Sequence, residues 1–192
     1  NHNVSSVMYD TSGNEKWAAT TSEYFGGKDV ELDDVGNSYI LTGNYNEVNP
    51  TSGADIVVLK YNSSGNQVTR KKYDFGGEEF PTKLCLTGTN QIGVIGYGTF
   101  GSGIIVDWLV MKLNTNGGLL WSKTSVNSGP YDVFPANLIG NSKGELFVTG
   151  TKPSGNPFPG YLALGTNKYL ADGTIGWSTL YDSTASNGIA LT

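Results

Sequence analysis

The stretch Asp10-Thr11-Ser12-Gly13-Asn14-Glu15-Lys16-Trp17 returns three more times along the chain in altered form. Its glycine recurs at Gly65, Gly117 and Gly173, so that successive copies are 52, 52 and 56 residues apart. Each copy places strand-forming residues on both sides of a short turn rich in Asx, Ser and Gly. Glycine suits the positive φ of hairpin turns, and an Asx side chain can bond the turn backbone. Each copy is therefore predicted to be a β-hairpin.

A second pattern is interleaved with the first. Residues 33–43 match residues 140–150, and a looser copy spans residues 87–96. This pattern also predicts a strand, a glycine turn and a second strand, so each period holds four strands. Sustained helical periodicity is absent. Four strands in a period of this length are typical of the blade of a β-propeller. A β-sandwich is the alternative, although it explains the strands without explaining the period.

The predicted fold is therefore all-β, a partial ring of about three and a half four-stranded blades from a larger propeller. Residues 1–192 form one β-propeller segment in this interpretation. Its blades are predicted at residues 4–21 (partial), 28–73, 80–125, 134–181 and 187–192 (partial). The four strands of a blade are called A to D from the axis outward. Because the partial blades lack a B strand, the rest of the propeller or another chain is needed to close the ring.

Composition excludes several functions. The net charge is −5, and the one basic run, Arg70-Lys71-Lys72, would alternate between the faces of a strand. We therefore expect no nucleic-acid binding. No apolar run is long enough to predict a membrane span. Cys85 is the only cysteine; it is predicted to be a buried, inert thiol.

Several of these residues carry a resemblance to a known family. Asp10–Trp17 and Gly36-Asn37-Ser38-Tyr39 with Thr42-Gly43 resemble the bacterial SBBP-type (seven-bladed β-propeller) repeats, and residues 62–66 and 144–150 match them more weakly. Thr69 departs from the pattern, because tryptophan is expected there. The resemblance covers nearly the whole chain and implies a secreted or cell-surface bacterial protein. It implies no particular activity.

Function is expected on the long loops. In a blade the A–B and C–D turns share one face, and the longer B–C and D–A loops share the other, where binding residues are common. Aromatic rings beside polar groups suit the recognition of a sugar or a protein. The alternative is that these rings pack between blades. The candidate binding residues are Tyr24, Phe25, Tyr45, Phe75, Phe100, Tyr131, Asp132 and Phe158.

Residues for catalysis are scarce. One histidine and one cysteine make a nucleophile with its base, or a zinc site, improbable in this sequence. Asp33-Asp34 and Glu78-Glu79 are predicted to be solvated turn or loop residues. The hairpin turns lack the ligand spacing of a calcium loop, so they are predicted not to bind calcium. No catalytic residue, metal or cofactor is predicted.

The sequence thus predicts a non-catalytic binding or scaffold module of a secreted or cell-surface bacterial protein, with a glycan or a protein as its ligand. One alternative is a carbohydrate-active hydrolase or lyase with acidic residues at the channel mouth. A second alternative is a structural spacer of an adhesin. Two or three carboxylates clustered at the channel mouth would favour the hydrolase, whereas a spacer would bind no ligand.

Overall fold

A computed structural model describes residues 3–23, 26–45, 53–100, 106–124, 133–153 and 162–181. The strands run Val4–Tyr9 (β1), Glu15–Thr21 (β2), Asp29–Leu32 (β3), Ser38–Tyr45 (β4), Ala54–Tyr61 (β5), Gln67–Tyr73 (β6), Glu78–Thr87 (β7), Gln91–Thr99 (β8), Val106–Asn114 (β9), Leu119–Thr124 (β10), Pro135–Gly140 (β11), Leu146–Pro153 (β12), Leu162–Tyr169 (β13) and Ile175–Tyr181 (β14). The described residues include no helix of a kind that would span a bilayer.

The strands form one hairpin and three antiparallel sheets. Strands β1 and β2 pair with each other, and we call them the N-terminal hairpin. The first sheet consists of β3–β6, the second of β7–β10 and the third of β11–β14. In each sheet every strand pairs with its neighbour in sequence, so the sheet is a simple meander. The all-β prediction and the four strands per period are confirmed.

Six hairpin turns share one geometry, as their sequence predicts. In the turn after β5, the N–H of Asn62 donates to Asn66 O and the N–H of Gly65 donates to Asn62 O, both at 2.9 Å. Asn62 Oδ1 also accepts hydrogen bonds from the N–H groups of Ser64 and Asn66. The glycine that ends six of these turns has φ between 77° and 85°. A side chain would strain this left-handed backbone.

The second sheet departs from the predicted strand bounds. Its first two strands were expected at residues 83–86 and 92–96, but β7 begins at Glu78 and β8 continues to Thr99. The ladder continues past an irregularity between Pro81 and Lys83. Proline is tolerated here because β7 pairs only with β8 and leaves its other edge free of sheet hydrogen bonds. Residues predicted to lie in loops are therefore strand residues.

The sheets stack face to face in chain order. Along β5 the side chains alternate, so Ile56 and Val58 face the second sheet whereas Val57, Leu59 and Tyr61 face the N-terminal hairpin. A third apolar cluster, which includes the fully buried ring of a tryptophan on β9, lies between the second and third sheets. The first and second sheets are thus covered on both faces, and burial of these apolar surfaces stabilises the stack.

The recurrent tryptophan packs one sheet onto the next. Trp17 stacks on Tyr61 with 5.7 Å between ring centroids, and Trp121 stacks on Tyr169 at 5.9 Å. Both tryptophans are half-buried. Trp177 holds the equivalent place in the third sheet and is 42% exposed. The predicted equivalence of the tryptophans therefore agrees with their packing wherever a following sheet is described.

Thr69 stands where the repeat would place another tryptophan. Between the first and second sheets, Tyr73 supplies the contact with the following turn. Its hydroxyl group donates to Gly117 O at 2.8 Å. A different aromatic side chain on the same strand thus compensates for the departure from the repeat, and the stacking of the sheets is preserved.

A recurrent lysine provides a second link between sheets. Lys60 donates to Thr115 O at 3.1 Å, in the turn between β9 and β10 of the next sheet. Lys112 is fully buried and reaches the equivalent turn at Ala171 O, 3.3 Å away, as well as Gly144 O. Burial lowers the pKa of Lys112. The two lysines are 52 residues apart, so the repeat encodes polar contacts between sheets as well as apolar ones.

Substitution of the turn glycines should reveal this stacking. Gly13 and Gly65 have nearly equal φ values of 83° and 81°. Of the two, only Gly65 is covered, by the N-terminal hairpin, where an added Cβ would lie 2.6 Å from the Trp17 ring. Gly13→Ala is expected to cost about 1 kcal/mol through backbone strain alone. Gly65→Ala is expected to cost about 2–4 kcal/mol because overpacking adds to the strain. Urea unfolding of both variants measures the difference, and equal losses would contradict the packing.

Candidate functional site

The first strands of the three sheets meet around a cavity. Strand β7 contacts β3 on one side and β11 on the other. The N–H of Leu84 donates to Asp29 Oδ2 at 2.9 Å, and the N–H of Gly88 donates to Asn141 O at 3.2 Å. These strands and the turns that follow them line a cavity of about 860 Å³. Its position brings side chains from three consecutive repeats to one place.

The cavity wall carries charges of both signs. Glu31 and Lys83 line it from the first strands of neighbouring sheets. Burial, and then the charge of Asp29, raise the pKa of Glu31, while the positive charge of Lys83 opposes that rise. Polar groups from the turns, including Asn90 and Thr115, complete the lining. The arrangement suits a polar ligand of low net charge, such as a sugar or a peptide loop.

A second part of the wall is held rigid by hydrogen bonds. Partial burial would raise the pKa of Asp33, but hydrogen bonds from Asn37, Tyr39 and Val35 outweigh it, and the pKa is lowered. The Tyr39 hydroxyl donates to Asp33 Oδ2 at 3.1 Å. Lys60 Nζ lies 5.2 Å from the centroid of the Tyr39 ring. Asp33 therefore remains an ionised turn residue and is unsuited to act as a general acid.

Cys85 also borders the cavity but offers no reactive thiolate. It is free and buried, with 7% of its surface exposed. Burial raises the pKa of its thiol to about 12. The thiol is therefore protonated at neutral pH and a poor nucleophile. The prediction that Cys85 is buried is confirmed, and the raised pKa agrees with an inert thiol.

Two of the predicted binding residues, Phe75 and Phe100, have side chains that the structure describes, and neither lines the cavity. Phe75 and Phe100 are partly buried and pack against the core between the first and second sheets. Tyr45 ends β4, and its side chain is outside the described part of the chain. The other candidates lie outside the described residues: Tyr24, Phe25, Tyr131, Asp132 and Phe158. Phe75 and Phe100 therefore pack against the same core. Packing between blades was the alternative that the sequence analysis gave for the aromatic candidates.

The sequence analysis missed buried carboxylates at the end of the sheets that adjoins the B–C and D–A connections, which we call the loop end. Glu79 was expected to be solvated together with Glu78, but Glu79 is fully buried while Glu78 is exposed. The reason is that β7 begins at Glu78, so adjacent side chains point to opposite faces. Burial raises the pKa of Glu79 to about 7, although hydrogen bonds from the N–H groups of Phe75 and Gly77 lower it.

Two ion pairs lie near the same end of the sheets. Arg70 contacts the buried Glu23 through Nε at 2.5 Å and Nη2 at 3.1 Å, and so joins the end of the N-terminal hairpin to the first sheet. Lys72 Nζ lies 2.7 Å from Oδ2 of the buried Asp55. Both pairs join residues far apart in sequence. Because side chains alternate between the two faces of β6, Arg70 and Lys72 lie on the same face. The sequence run Arg70-Lys71-Lys72 already contained this signal.

No family model and no curated protein matches the sequence. Among solved structures, the chain is similar to a crystal structure of a protein of unknown function from Bacteroides caccae. The two chains are 13% identical, and the match covers 91% of this chain and 74% of the other, with a TM-score of 0.36.

Proposed function

We propose that the chain is part of a β-propeller that serves as a non-catalytic binding or scaffold module in a secreted or cell-surface bacterial protein. The SBBP-like repeat pattern supports this setting. The single observation that carries the binding role is the cavity lined by the first strands of three consecutive sheets and by their turns. Small-molecule sites are concave, and repeat folds present concave binding surfaces to which neighbouring repeats contribute.

The convergence of the first strands supports a propeller over a sandwich. Each sheet is a meander whose first strand contacts the first strand of the neighbouring sheet. Repeated sheets that meet at their first strands and follow one another in chain order are the expected arrangement of blades about an axis. A two-sheet sandwich would instead pack one pair of sheets around one core. Here, separate apolar clusters lie between successive pairs.

The exposed face of the third sheet supports a partner that extends the stack. Trp177 corresponds to Trp121, which covers the turn of a following sheet, but Trp177 is 42% exposed. Lys168 corresponds to Lys112, yet it pairs with Glu145 of its own sheet at 2.9 Å. In the proposal, another sheet from the rest of the propeller or from another chain covers this face.

The cavity supports binding more than hydrolysis. A glycosidase needs one carboxyl group as an acid and a second as a base or nucleophile across the scissile bond. Three carboxylates, those of Glu31, Asp33 and Asp34, line the cavity. However, Asp33 is held ionised by hydrogen bonds within its turn, and the charge of Lys83 opposes the rise in the pKa of Glu31. We therefore propose that these groups orient a bound glycan or protein loop and do not cleave it.

Binding can be tested by titrating the chain with oligosaccharides and with peptides while its amide NMR signals are followed. Saturable shifts are expected along β3 and β7. Lys83→Ala is expected to weaken binding about tenfold, the effect of losing one charge-assisted hydrogen bond. Lys143→Ala is the matched control, because Lys143 is exposed and does not line the cavity. Absence of saturable binding to either class of ligand would contradict the proposal and favour a structural spacer.

A further inference from the structure

Three carboxylates meet at the loop end, between the first and second sheets and away from the cavity. Asp55 lies near the start of β5, Asp74 directly follows β6, and Glu79 lies near the start of β7. One carboxylate oxygen of each residue lies within 4.8 Å of one oxygen of each of the others. None of the three lines the cavity described above. They therefore form a separate acidic cluster, which we call the loop-end cluster.

Two oxygens of the loop-end cluster are buried without a partner. Asp55 and Glu79 are both 0% exposed, and neither Asp55 Oδ1 nor Glu79 Oε2 has a hydrogen-bond partner. The other oxygen of each carboxylate is occupied, since Asp55 Oδ2 accepts from Lys72 and Glu79 Oε1 accepts from the N–H of Gly77. A buried acceptor left unpaired is costly, especially on a charged group. A cation bound to these two oxygens would remove this cost.

The positive charge within reach is too small for the cluster. Lys72 contacts Asp55 at 2.7 Å and Asp74 at 3.7 Å, and it supplies one charge for three carboxylates. Arg70, two residues earlier, is engaged with Glu23. The Lys72 side chain is 39% exposed and interacts with the opposite oxygen of Asp55 from the unpaired one. Lys72 therefore leaves Asp55 Oδ1 without a counterion.

We propose that Asp55, Asp74 and Glu79 bind one divalent cation, and that its chemistry is that of calcium. Carboxylate oxygens are the ligands of hard cations, and calcium accepts them at about 2.3–2.6 Å in a flexible geometry. Two oxygens on opposite sides of one calcium ion are then about 4.6–5.2 Å apart, which accommodates the observed separation. Asp74 is exposed, so water has access to the remaining coordination positions. This site is distinct from the hairpin turns, which are still predicted not to bind calcium.

The cation would fasten one sheet to the next. Asp55 belongs to the first sheet, and Asp74 directly follows the last strand of that sheet. Glu79 belongs to the second sheet. The ion therefore crosslinks two sheets at the end opposite the cavity, as the recurrent lysines do elsewhere. A ligand that binds only the folded state stabilises it by an amount that grows with the logarithm of the ligand's excess over Kd, and the melting temperature rises accordingly. Calcium is thus expected to stabilise the stack.

The test is thermal unfolding of the 192-residue chain in calcium and in chelator, together with calorimetric titration of calcium. We expect calcium at a hundredfold excess over Kd to raise Tm by roughly 5–10 °C. Glu79→Gln should abolish the calcium-dependent increment, whatever its effect on the baseline Tm. Asp74→Asn, at an exposed position that threatens folding little, should weaken calcium binding at least about tenfold.

Glu78→Gln is the matched control, because it removes a neighbouring exposed carboxylate outside the cluster. It should keep the full calcium response. An absence of any calcium-dependent shift or heat in the parent chain would overturn the proposal and leave Lys72 as the only counterion. A response that persists in both Glu79→Gln and Asp74→Asn would also overturn it, since the ion would then be bound elsewhere.

Discussion

Replacing Trp121 with alanine is expected to lower the free energy of unfolding by about 3 kcal/mol, whereas Trp177→Ala is expected to cost less than about 1 kcal/mol. The two residues hold the same position in the repeat, four residues after Gly117 and Gly173. They differ in what covers them. Trp121 lies between the second and third sheets, while Trp177 is on the exposed face of the third.

The larger cost at Trp121 has three physical sources. Its ring stacks on Tyr169, and its Nε1–H donates to Ala171 O at 3.0 Å. The ring also packs so closely on Gly173 that a Cβ added there would lie 2.8 Å from it. Alanine would remove the stacking and the hydrogen bond and leave a cavity between two sheets. Trp177 contacts only Phe147 among the described aromatic rings, at 6.1 Å between centroids, so its removal exposes little new surface.

Urea unfolding at low micromolar concentration, followed by fluorescence and circular dichroism, measures both values. A loss below about 1 kcal/mol for Trp121→Ala would contradict the packing between the second and third sheets. Equal, large losses for the two variants would mean that Trp177 is covered in solution. Repeating the measurement across a range of protein concentrations distinguishes an associating chain from a monomer, because association makes stability depend on concentration.

The strands and turns were predictable because their signals are local. A glycine with φ near 80° preceded by an Asx residue defines six of the turns, and alternating apolar residues define the strands on either side. The equivalence of Trp17 and Trp121 follows from their shared distance to the turn glycine. Such features depend on a few neighbouring residues, so a single repeat already contains the information.

The cavity was not predictable from the sequence in the same way. Glu31 and Lys83 are 52 residues apart, and their meeting depends on how one sheet packs on the next. The sequence analysis placed binding at the long loops, since long loops on a rigid scaffold commonly carry binding residues. The structure places the cavity beside the short turns, because the first strands converge there. Convergence of whole sheets is a tertiary property, which no local pattern specifies.

The loop-end cluster was missed for a narrower reason. Asp55 and Glu79 read as polar residues at the borders of loops, and such residues are ordinarily solvated. Burial of Glu79 results from the extension of β7 back to Glu78, and the unpaired Asp55 Oδ1 becomes apparent only from the side-chain contacts. Strand ends are the least well-defined part of a pattern-based prediction, so a shift of a few residues changes which carboxylate is buried.

In a chelating buffer, the chain is expected to lose stability as the pH rises from about 5 to about 8, by up to about 3 kcal/mol, through Glu79. The pKa of Glu79 is about 7 in the folded protein, against an ordinary value of 4.5. Between these values the folded state retains a proton that the unfolded state releases. Stability is therefore fully present below pH 4.5 and is lost as the pH rises through 7.

Glu79→Gln should remove this slope because glutamine stays neutral at every pH. The variant is expected to match the parent near pH 5 and to exceed its stability by up to about 3 kcal/mol at pH 8. Glu78→Gln should retain the parental slope, since Glu78 is exposed. Burial also raises the pKa of Glu31. Any slope that remains in Glu79→Gln is therefore assigned to Glu31 and tested with Glu31→Gln.

The measurement is urea unfolding at half-unit steps between pH 5 and pH 8 for the parent and the three variants. Carboxylates whose pKa is lowered, such as Asp33 and Glu145, lose their stabilising effect only at more acidic pH, so they do not contribute in this interval. The decisive quantity is the difference between the parent and Glu79→Gln as a function of pH. A difference in stability that does not change with pH would show that Glu79 is ionised over the whole interval. That result would contradict the raised pKa that burial gives to Glu79.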